Sequence, residues 1–439
     1  MSNREHAFES GHDHHVEVGV EVAEVGFDAI DILFERIERH FHRVEVKKRA
    51  RQYFGGLIAP IERKTARSIA AYAGERACDS MERFLTTAKW SADGIMADLR
   101  SLVVEAIGDA NGILVITPML IWKKGTKSVG ISPDTATMGY QEALFLGYVA
   151  PRGCAFLDRR LYIDDTWLHS RRKRKAARIP ESVQPDTLAD LANKMLEAAD
   201  TAQVPHAWVV LHDRFLYLPT LYDVLQQRRQ PFILSMHPHD GEQYDRDLYY
   251  IQREHLRDDD RKGRVWTAIR LEQPYAGYVQ WFLKNSYDPS QFEERPRHVA
   301  RRDTSFLPPV DSHFDSLIDN DKTDGNVDEI DFDEYDDYID FDEYDDSYEP
   351  DYYLALAPDR VGLQELVEVV KTSQQVHPAM QAACEQAGLN HYEARSWPAW
   401  HRHTAFALLA HAYLTLPYVN VDQPLVLQRD FANVRLREA

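Results

Sequence analysis

A turn signal followed by an apolar run decides the fold: Asn111-Gly112-Ile113-Leu114-Val115-Ile116-Thr117. Asparagine followed by glycine favours a tight turn, and a short apolar run bounded by such a turn is typical of a buried strand. We therefore predict a short buried strand that ends at Thr117. The class of fold depends on what lies on either side of it.

The residues that follow predict more strands, over 144–149, 155–163, 207–211, 232–235 and 352–357. Helices are predicted between and after them, over 185–199, 363–371, 376–387 and 402–416. On the amino-terminal side, apolar residues recur at helical spacing from residue 27 to about 102, beginning with Ile30, Leu33, Phe34 and Ile37. The chain is therefore predicted to be an α/β (α+β) protein, with an all-helical amino-terminal domain and a mixed sheet flanked by helices.

These patterns divide the 439 residues into six segments. They are a flexible arm over 1–24, a helical domain over 25–107, the first part of the sheet domain over 108–237, an insertion over 238–351, the closing strand and helices over 352–418, and a tail over 419–439. The insertion is expected to contain loops and few regular elements.

The composition predicts a globular protein of the cytoplasm. Hydrophobic residues make up 44% and charged residues 28% of the chain. There is no apolar run of about 20 residues and no signal-peptide pattern, so no membrane association is expected. The three cysteines, Cys78, Cys154 and Cys384, are odd in number and far apart, which favours a reducing compartment.

The net charge of −20 is concentrated in one segment. Residues 311–351 contain 19 acidic residues and one basic residue, a charge of −18, which leaves −2 for the rest of the chain. Within this segment the sequence Ile330–Tyr338 is repeated, with small changes, as Ile339–Ser347. The segment does not fit a calcium-binding loop that starts at Asp319, because Asp324 would stand at the position where such a loop requires glycine.

Charge repulsion predicts a disordered, solvated tract over 311–351. The alternative is that its regular isoleucine, phenylalanine and tyrosine residues bind a basic protein partner, or that the tract mimics DNA and masks basic patches.

Several local blocks of the chain resemble the DDE insertion-sequence transposases, specifically insertion-sequence family 701. The blocks, which lie in the family's order, are Arg43–Tyr53, Gly56–Leu57, Pro60–Lys64, Trp90, Asp93, Asp98–Arg100, Lys123–Gly130, Gln141, Tyr148, Pro151–Gly153, Gly388–Trp397 and Trp400–His403. The resemblance implies an RNase H-like sheet domain with a DNA-binding helical domain before it. It also implies DNA as the partner, pairing of two copies in a homodimer, and a nucleoid-associated location.

The resemblance also implies a metal site that this chain departs from. In the family, two strand-end aspartates and a helix-borne glutamate hold two divalent metal ions that drive strand cleavage. The aspartate positions correspond to Thr117 and His212, with Asp213 one residue later. The arginine, glutamate and lysine positions of the helix correspond to Ser373, His377 and Cys384. Magnesium requires hard oxygen ligands, so we predict no magnesium site and no other cofactor.

Two further sets of residues are candidates for binding. His212, Asp213 and His377 would suit zinc or iron if the fold brought them together; otherwise they are polar residues without a metal. The basic residues expected to contact DNA phosphates are Lys47, Lys48, Arg49, Arg51, Lys123, Lys124, Lys127, Arg171, Arg172, Lys173, Arg174 and Lys175.

Three functions remain open on the sequence. The first is a transposase-derived protein that is catalytically inactive and retains DNA binding. The second is an active DDE transposase that uses shifted acids such as Asp213. The third is an interaction or inhibitor protein that acts through the acidic repeat.

Overall fold

The structure is a computed structural model that describes most of the chain between residues 30 and 416. It covers residues 30–133, 135, 138–258, 260–261, 264–271, 277–287, 351–393 and 395–416, and the backbone of 419–420 and 423–424. The predicted arm over 1–24, the acidic repeat and most of the tail lie outside the described residues.

The described amino-terminal part is helical, as predicted. Its helices are α1 (residues 30–37), α2 (Val44–Ile58), α3 (Ala66–Tyr72), α4 (Asp79–Thr86) and α5 (Ala92–Ile107), with a 3₁₀ turn over Glu38–His40. Hydroxyl caps begin two of them: Thr65 accepts from the Ser68 amide and Ser91 accepts from the Gly94 amide. Each cap satisfies a backbone donor that a helix leaves unpaired at its start.

A mixed sheet forms the centre of the molecule. Its strands are β1 (Ile113–Lys124), β2 (Ile131–Pro133), β3 (Met138–Ala150), β4 (Gly153–Leu161), β5 (Trp208–Leu211), β6 (Phe232–Met236), β7 (Glu254–Arg257), β8 (Arg264–Leu271), β9 (Tyr278–Tyr287) and β10 (Asp351–Pro358). The order along the sheet is β4-β3-β1-β5-β6-β10-β9-β8-β7, with β2 also paired to β3. Strands β1, β5 and β6 are mutually parallel, and the other neighbours are antiparallel. This is the predicted α/β (α+β), RNase H-like fold.

The remaining helices flank the sheet. They are α6 (Asp165–Leu168), α7 (Arg171–Ala177), α8 (Leu188–Thr201), α9 (Pro219–Gln227), α10 (Pro238–Asp247), α11 (Leu363–Ser373), α12 (Val376–Glu385) and α13 (Trp397–Thr415). A 3₁₀ turn over Asp213–Phe215 follows β5, and a two-residue ladder joins β11 (Val419–Asn420) to β12 (Gln423–Pro424).

The amino-terminal helices and the closing helix α13 share one hydrophobic core. Helix α13 packs against α2, α4, α5 and β4. Phe406 of α13 lies in an aromatic cluster with Phe41, Tyr53, Phe84 and Trp90, and its ring centroid is 5.3–6.2 Å from theirs. Because most of α13 is apolar all round, it is stable only when surrounded by other elements.

Two sequence predictions are wrong. Strand β1 does not end at Thr117; it continues to Lys124 because its second half pairs with the first half of β3, from Thr117 opposite Phe145 to Lys124 opposite Met138. The insertion is not mostly loop where it is described: it begins with α10 and adds β7, β8 and β9 to the sheet. These strands join the sheet through β10, which pairs with both β9 and β6.

Candidate functional site

The register of β1 and β5 places Thr117 and His212 side by side. These parallel strands pair from Ile113 opposite Trp208 to Ile116 opposite Leu211. Thr117 and His212 directly follow the last pair, His212 just beyond the end of β5, and the common offset puts them on the same face of the sheet. Neighbouring strands are about 4.8 Å apart, so two carboxylates here could share a metal ion.

Thr117 contributes a hydroxyl that already has a contact. Its side chain is buried, and Oγ1 lies 3.4 Å from the carbonyl oxygen of Pro118, to which it donates. A neutral hydroxyl carries no negative charge and replaces a carboxylate poorly as a magnesium ligand.

His212 is held by the residues that follow it. Its Nδ1 lies 2.6 Å from Oδ1 of Asp213 and 3.2 Å from the amide nitrogen of Arg214. Nδ1 cannot both donate a hydrogen bond to Asp213 and accept one from the Arg214 amide. The carboxylate is closer and charged, so we place the proton on Nδ1, donated to Asp213. Asp213 is thereby engaged as a partner of the imidazole.

A buried carboxylate close to these residues is neutralised by an arginine. Glu142 of β3 is 8% exposed and receives two hydrogen bonds from Arg214, from Nε to Oε1 at 3.0 Å and from Nη2 to Oε2 at 3.4 Å. The hydrogen bond to Glu142 raises the pKa of Arg214 above its usual range. Sequence reasoning missed this pair, because the two residues are 72 positions apart and no motif connects them.

The three positions of the helix motif do not complete a metal site. Ser373 is the buried last residue of α11, and its hydroxyl donates to the Val370 carbonyl at 2.7 Å. His377 is exposed on α12. Cys384 is buried, and burial raises the pKa of its thiol to about 12. Helix α11 packs against β1, β3 and β5, whereas α12 packs against β3, β4 and α13.

The proposed set of two histidines and one carboxylate is not assembled. Within the described residues, the group whose potential ligand atoms lie within 4.8 Å of one another is Cys78, Asp79 and Glu82, at the surface. His212, Asp213 and His377 form no such group. The residues at the site therefore fit neither magnesium nor the zinc or iron alternative.

The basic run on α2 is largely paired with carboxylates. Lys47 lies 3.3 Å from Glu38, Arg49 forms an ion pair with Glu75, and Arg51 forms one with Asp31. The guanidinium of Arg51 also stacks 4.6 Å from the ring centroid of Phe34. Exposed Lys48 is the member of this run without an ion pair among the described residues. The positive charge that α2 presents to a partner is accordingly small.

Lys123, which the sequence predicts to contact DNA, has structural contacts within the protein. Its Nζ donates to the carbonyl oxygens of Asn390 at 3.1 Å and Tyr392 at 2.8 Å, and it lies 4.5 Å from the ring centroid of Tyr392. These contacts join β1 to the loop before α13. Lys124 and Lys127, farther along, are exposed.

The basic run on α7 presents its charge to solvent. Arg171, Arg172, Lys173 and Lys175 are exposed, and Arg174 is half-buried. Arg174 donates to the carbonyls of Pro180 and Val183. The structure thus separates the predicted DNA-contacting residues into mostly paired ones on α2, a half-buried support at Lys123, and an exposed set around α7.

Several of the motif residues that carry the family resemblance make contacts in the interior. Tyr53 contacts His403 across the core, the Lys64 amide donates to Nδ1 of His391, and Gln141 hydrogen-bonds to the Tyr392 hydroxyl at 2.9 Å. Arg402 donates to the carbonyls of Leu85, Ala88 and Trp90 at the end of α4. These motif residues therefore stabilise the fold.

Comparison with known families agrees with this fold. Residues 36–241 match the model of a family described as DDE superfamily endonuclease. This part of the chain is therefore similar to the DDE superfamily. The matched part runs from α1 into α10 and includes both Thr117 and His212. No curated protein matches the chain. In the described part, no helix is long and apolar enough to cross a membrane.

Proposed function

We propose that this protein is a transposase-derived DNA-binding protein of the DDE superfamily that lacks metal-dependent strand cleavage. The observation that carries the proposal is the neighbouring pair Thr117 and His212, which occupies the two strand positions where a carboxylate pair would hold the metal. A hydroxyl and a hydrogen-bonded imidazole provide no anionic oxygen there.

The contrast between scaffold and site supports the proposal. The contacts of Tyr53, Gln141 and Arg402 tie the amino-terminal helices, the sheet and α13 together over long sequence distances. Carboxylates clustered at a metal site repel one another, so their replacement does not weaken a fold and can stabilise it. If a transposase lost cleavage but kept its fold, its interior would stay intact and its site positions would change. This chain has both features.

DNA binding is the activity that does not need these acids. Phosphate contacts depend on local lysine and arginine side chains, and the chain outside residues 311–351 carries a charge of only −2. The exposed cations around α7 provide such contacts. The proposal does not draw on the acidic repeat, which lies outside the described residues.

The test records binding and cleavage in the same samples. The full chain is incubated with DNA from the ends that flank its gene, with magnesium, manganese or a chelator. We expect a mobility shift in all three conditions and intact DNA in each. Cleavage that requires metal would overturn the proposal, and its loss in Asp213→Ala, but not in the surface control Asp223→Ala, would support the active transposase instead. Absence of both binding and cleavage would also overturn it and direct attention to the acidic repeat.

A further inference from the structure

We infer that the protein holds duplex DNA by its phosphates on one surface, the α7 face, made of Arg171, Arg172, Lys173, Lys175 and Lys127. The inference rests on the proposed DNA binding and names its interface. We assign the contact to the α7 face and not to α2, although the sequence of α2 is equally basic.

The two parts of the α7 face are linked through α6. Trp167 of α6 donates from Nε1 to the carbonyl of Ile131 at 3.0 Å, which holds β2, the strand that follows the Lys127 loop, against α6. Lys173 lies 5.1 Å from the ring centroid of Trp167 and donates to the Thr166 hydroxyl at 3.3 Å. Lys173 of α7 and the start of β2 therefore both contact Trp167.

Within the part of the chain that the structure describes, the charge of the α7 face is not neutralised. Among the described residues, its five cations form no ion pair with a carboxylate. Two acids lie near it. Asp164 caps α6 through the Trp167 amide, and Asp165 lies 3.9 Å from His169. On α2, by contrast, three of four cations have a carboxylate partner. Counterion release on DNA binding requires cations that are not already paired, so the α7 face is the stronger phosphate site.

Helix α7, which carries these cations, is anchored by its inward side. Ala177 and Ile179 are buried, and Arg174 is tied to two carbonyls. Arg178 ends the helix in the left-handed conformation, with φ of 55°, and donates to the Thr86 carbonyl of α4 at 3.0 Å. A helix anchored in this way loses little further freedom when it binds, which favours affinity.

Duplex DNA fits this surface better than a single strand does. Single-strand binding depends on exposed aromatic rings on which bases stack. The most exposed tyrosines of the described chain, Tyr72, Tyr217, Tyr249 and Tyr250, lie on neither α7 nor the Lys127 loop, and Trp167 is 3% exposed. The face offers charge without a stacking platform, which suits a regular phosphate backbone.

The test compares two double variants with the same change in charge. Binding of the full chain to a fluorescent duplex is measured by anisotropy over a range of salt concentrations, with a single strand of the same sequence as competitor. Arg171→Gln/Arg172→Gln is expected to weaken duplex binding about tenfold and to reduce the slope of log K against log salt by about 2. Lys47→Gln/Lys48→Gln is expected to change the affinity less than about twofold. Thermal unfolding checks that both variants fold, and Lys175→Gln alone, with a slope reduced by about 1, replaces the first if it does not.

The outcomes separate the two proposals. If the wild type binds no duplex even at low salt, the proposed function itself fails. If the wild type binds but both double variants weaken it equally, or neither does, the α7 face is wrong while DNA binding stands. If the single strand competes more strongly than the duplex, the assignment to duplex DNA is overturned.

Discussion

The hydroxyl of Tyr53 lies 2.7 Å from Nδ1 of His403, although 350 residues separate them. Nε2 of the same histidine is 2.9 Å from the carbonyl of Gly388, so Nε2 carries the proton and Nδ1 accepts from Tyr53. Both residues are buried, and burial lowers the pKa of His403 to about 3, so the ring is neutral at ordinary pH. This contact joins α2 to α13 and closes the core.

Removing the Tyr53 hydroxyl should destabilise the fold. Tyr53→Phe leaves Nδ1 of His403 buried without a donor, which costs about 1–3 kcal/mol. Urea unfolding measures the free energy. Tyr72→Phe, at a tyrosine that is 57% exposed, is the matched control and should change it by less than about 0.5 kcal/mol. Equal stability of the two variants would show that the contact across the core does not form.

His411 should make the protein sensitive to acid. It is 1% exposed, both ring nitrogens lack a hydrogen-bond partner among the described residues, and burial lowers its pKa to about 4. The unfolded chain, in which the pKa is about 6.5, binds the proton more tightly, so stability is lost as the pH falls from about 6.5 towards 4.

Replacing this histidine by an apolar residue should remove that loss. His411→Leu is expected to be at least as stable as the wild type at pH 7.5, because it removes two unsatisfied polar atoms. Its advantage should grow by on the order of 3 kcal/mol by pH 4. Urea unfolding across this pH range measures the difference, with the exposed His169→Leu as control. A difference that does not change with pH would contradict the burial of a neutral His411.

Two lysines of one motif should separate stability from DNA binding. Lys123→Met removes the donor to the carbonyls of Asn390 and Tyr392 and should lower the free energy of unfolding by about 1–3 kcal/mol. Lys127→Met changes an exposed side chain and should leave unfolding unchanged, while it weakens duplex binding and lowers the salt slope by about 1. Urea unfolding and anisotropy on both variants check this. The reverse pattern would contradict the roles assigned to the two residues.

Much of the fold could be predicted because it is encoded locally. The apolar runs that become β5, β6 and β10 and the helical spacing in α8, α11 and α12 appear in the sequence within a few residues of their observed ends. The second half of β1 could not be found this way. Trp122, Lys123 and Lys124 resemble a loop by composition and are strand only because β3 pairs with them.

The strands of the insertion have a weak signal in the sequence. Strand β8 (Arg264–Leu271) contains four buried hydrophobic residues, Trp266, Ala268, Ile269 and Leu271, among polar ones, but the charged residues around it suggest loops. Strand β9 pairs with β10, which lies beyond the acidic segment, so its partner is distant in sequence.

The candidate site was only partly predictable. The neighbouring positions of Thr117 and His212 follow from the resemblance and agree with the strand register. The pairing of α2 cations with Glu38, Glu75 and Asp31, and of Arg214 with Glu142, depends on tertiary contacts that no spacing reveals. Basic runs that look alike in sequence therefore differ in the charge that they offer to a partner.

The decisive measurement is a manganese titration of the full chain, followed by the electron paramagnetic resonance signal of the free ion. Wild type and Asp213→Ala are compared, because the weak binding expected from the acidic repeat is common to both. If Thr117 and His212 have removed the metal site, the two titrations coincide and show no site of micromolar affinity. A tight site in the wild type that disappears in Asp213→Ala would contradict the account and show that the protein retains a metal centre.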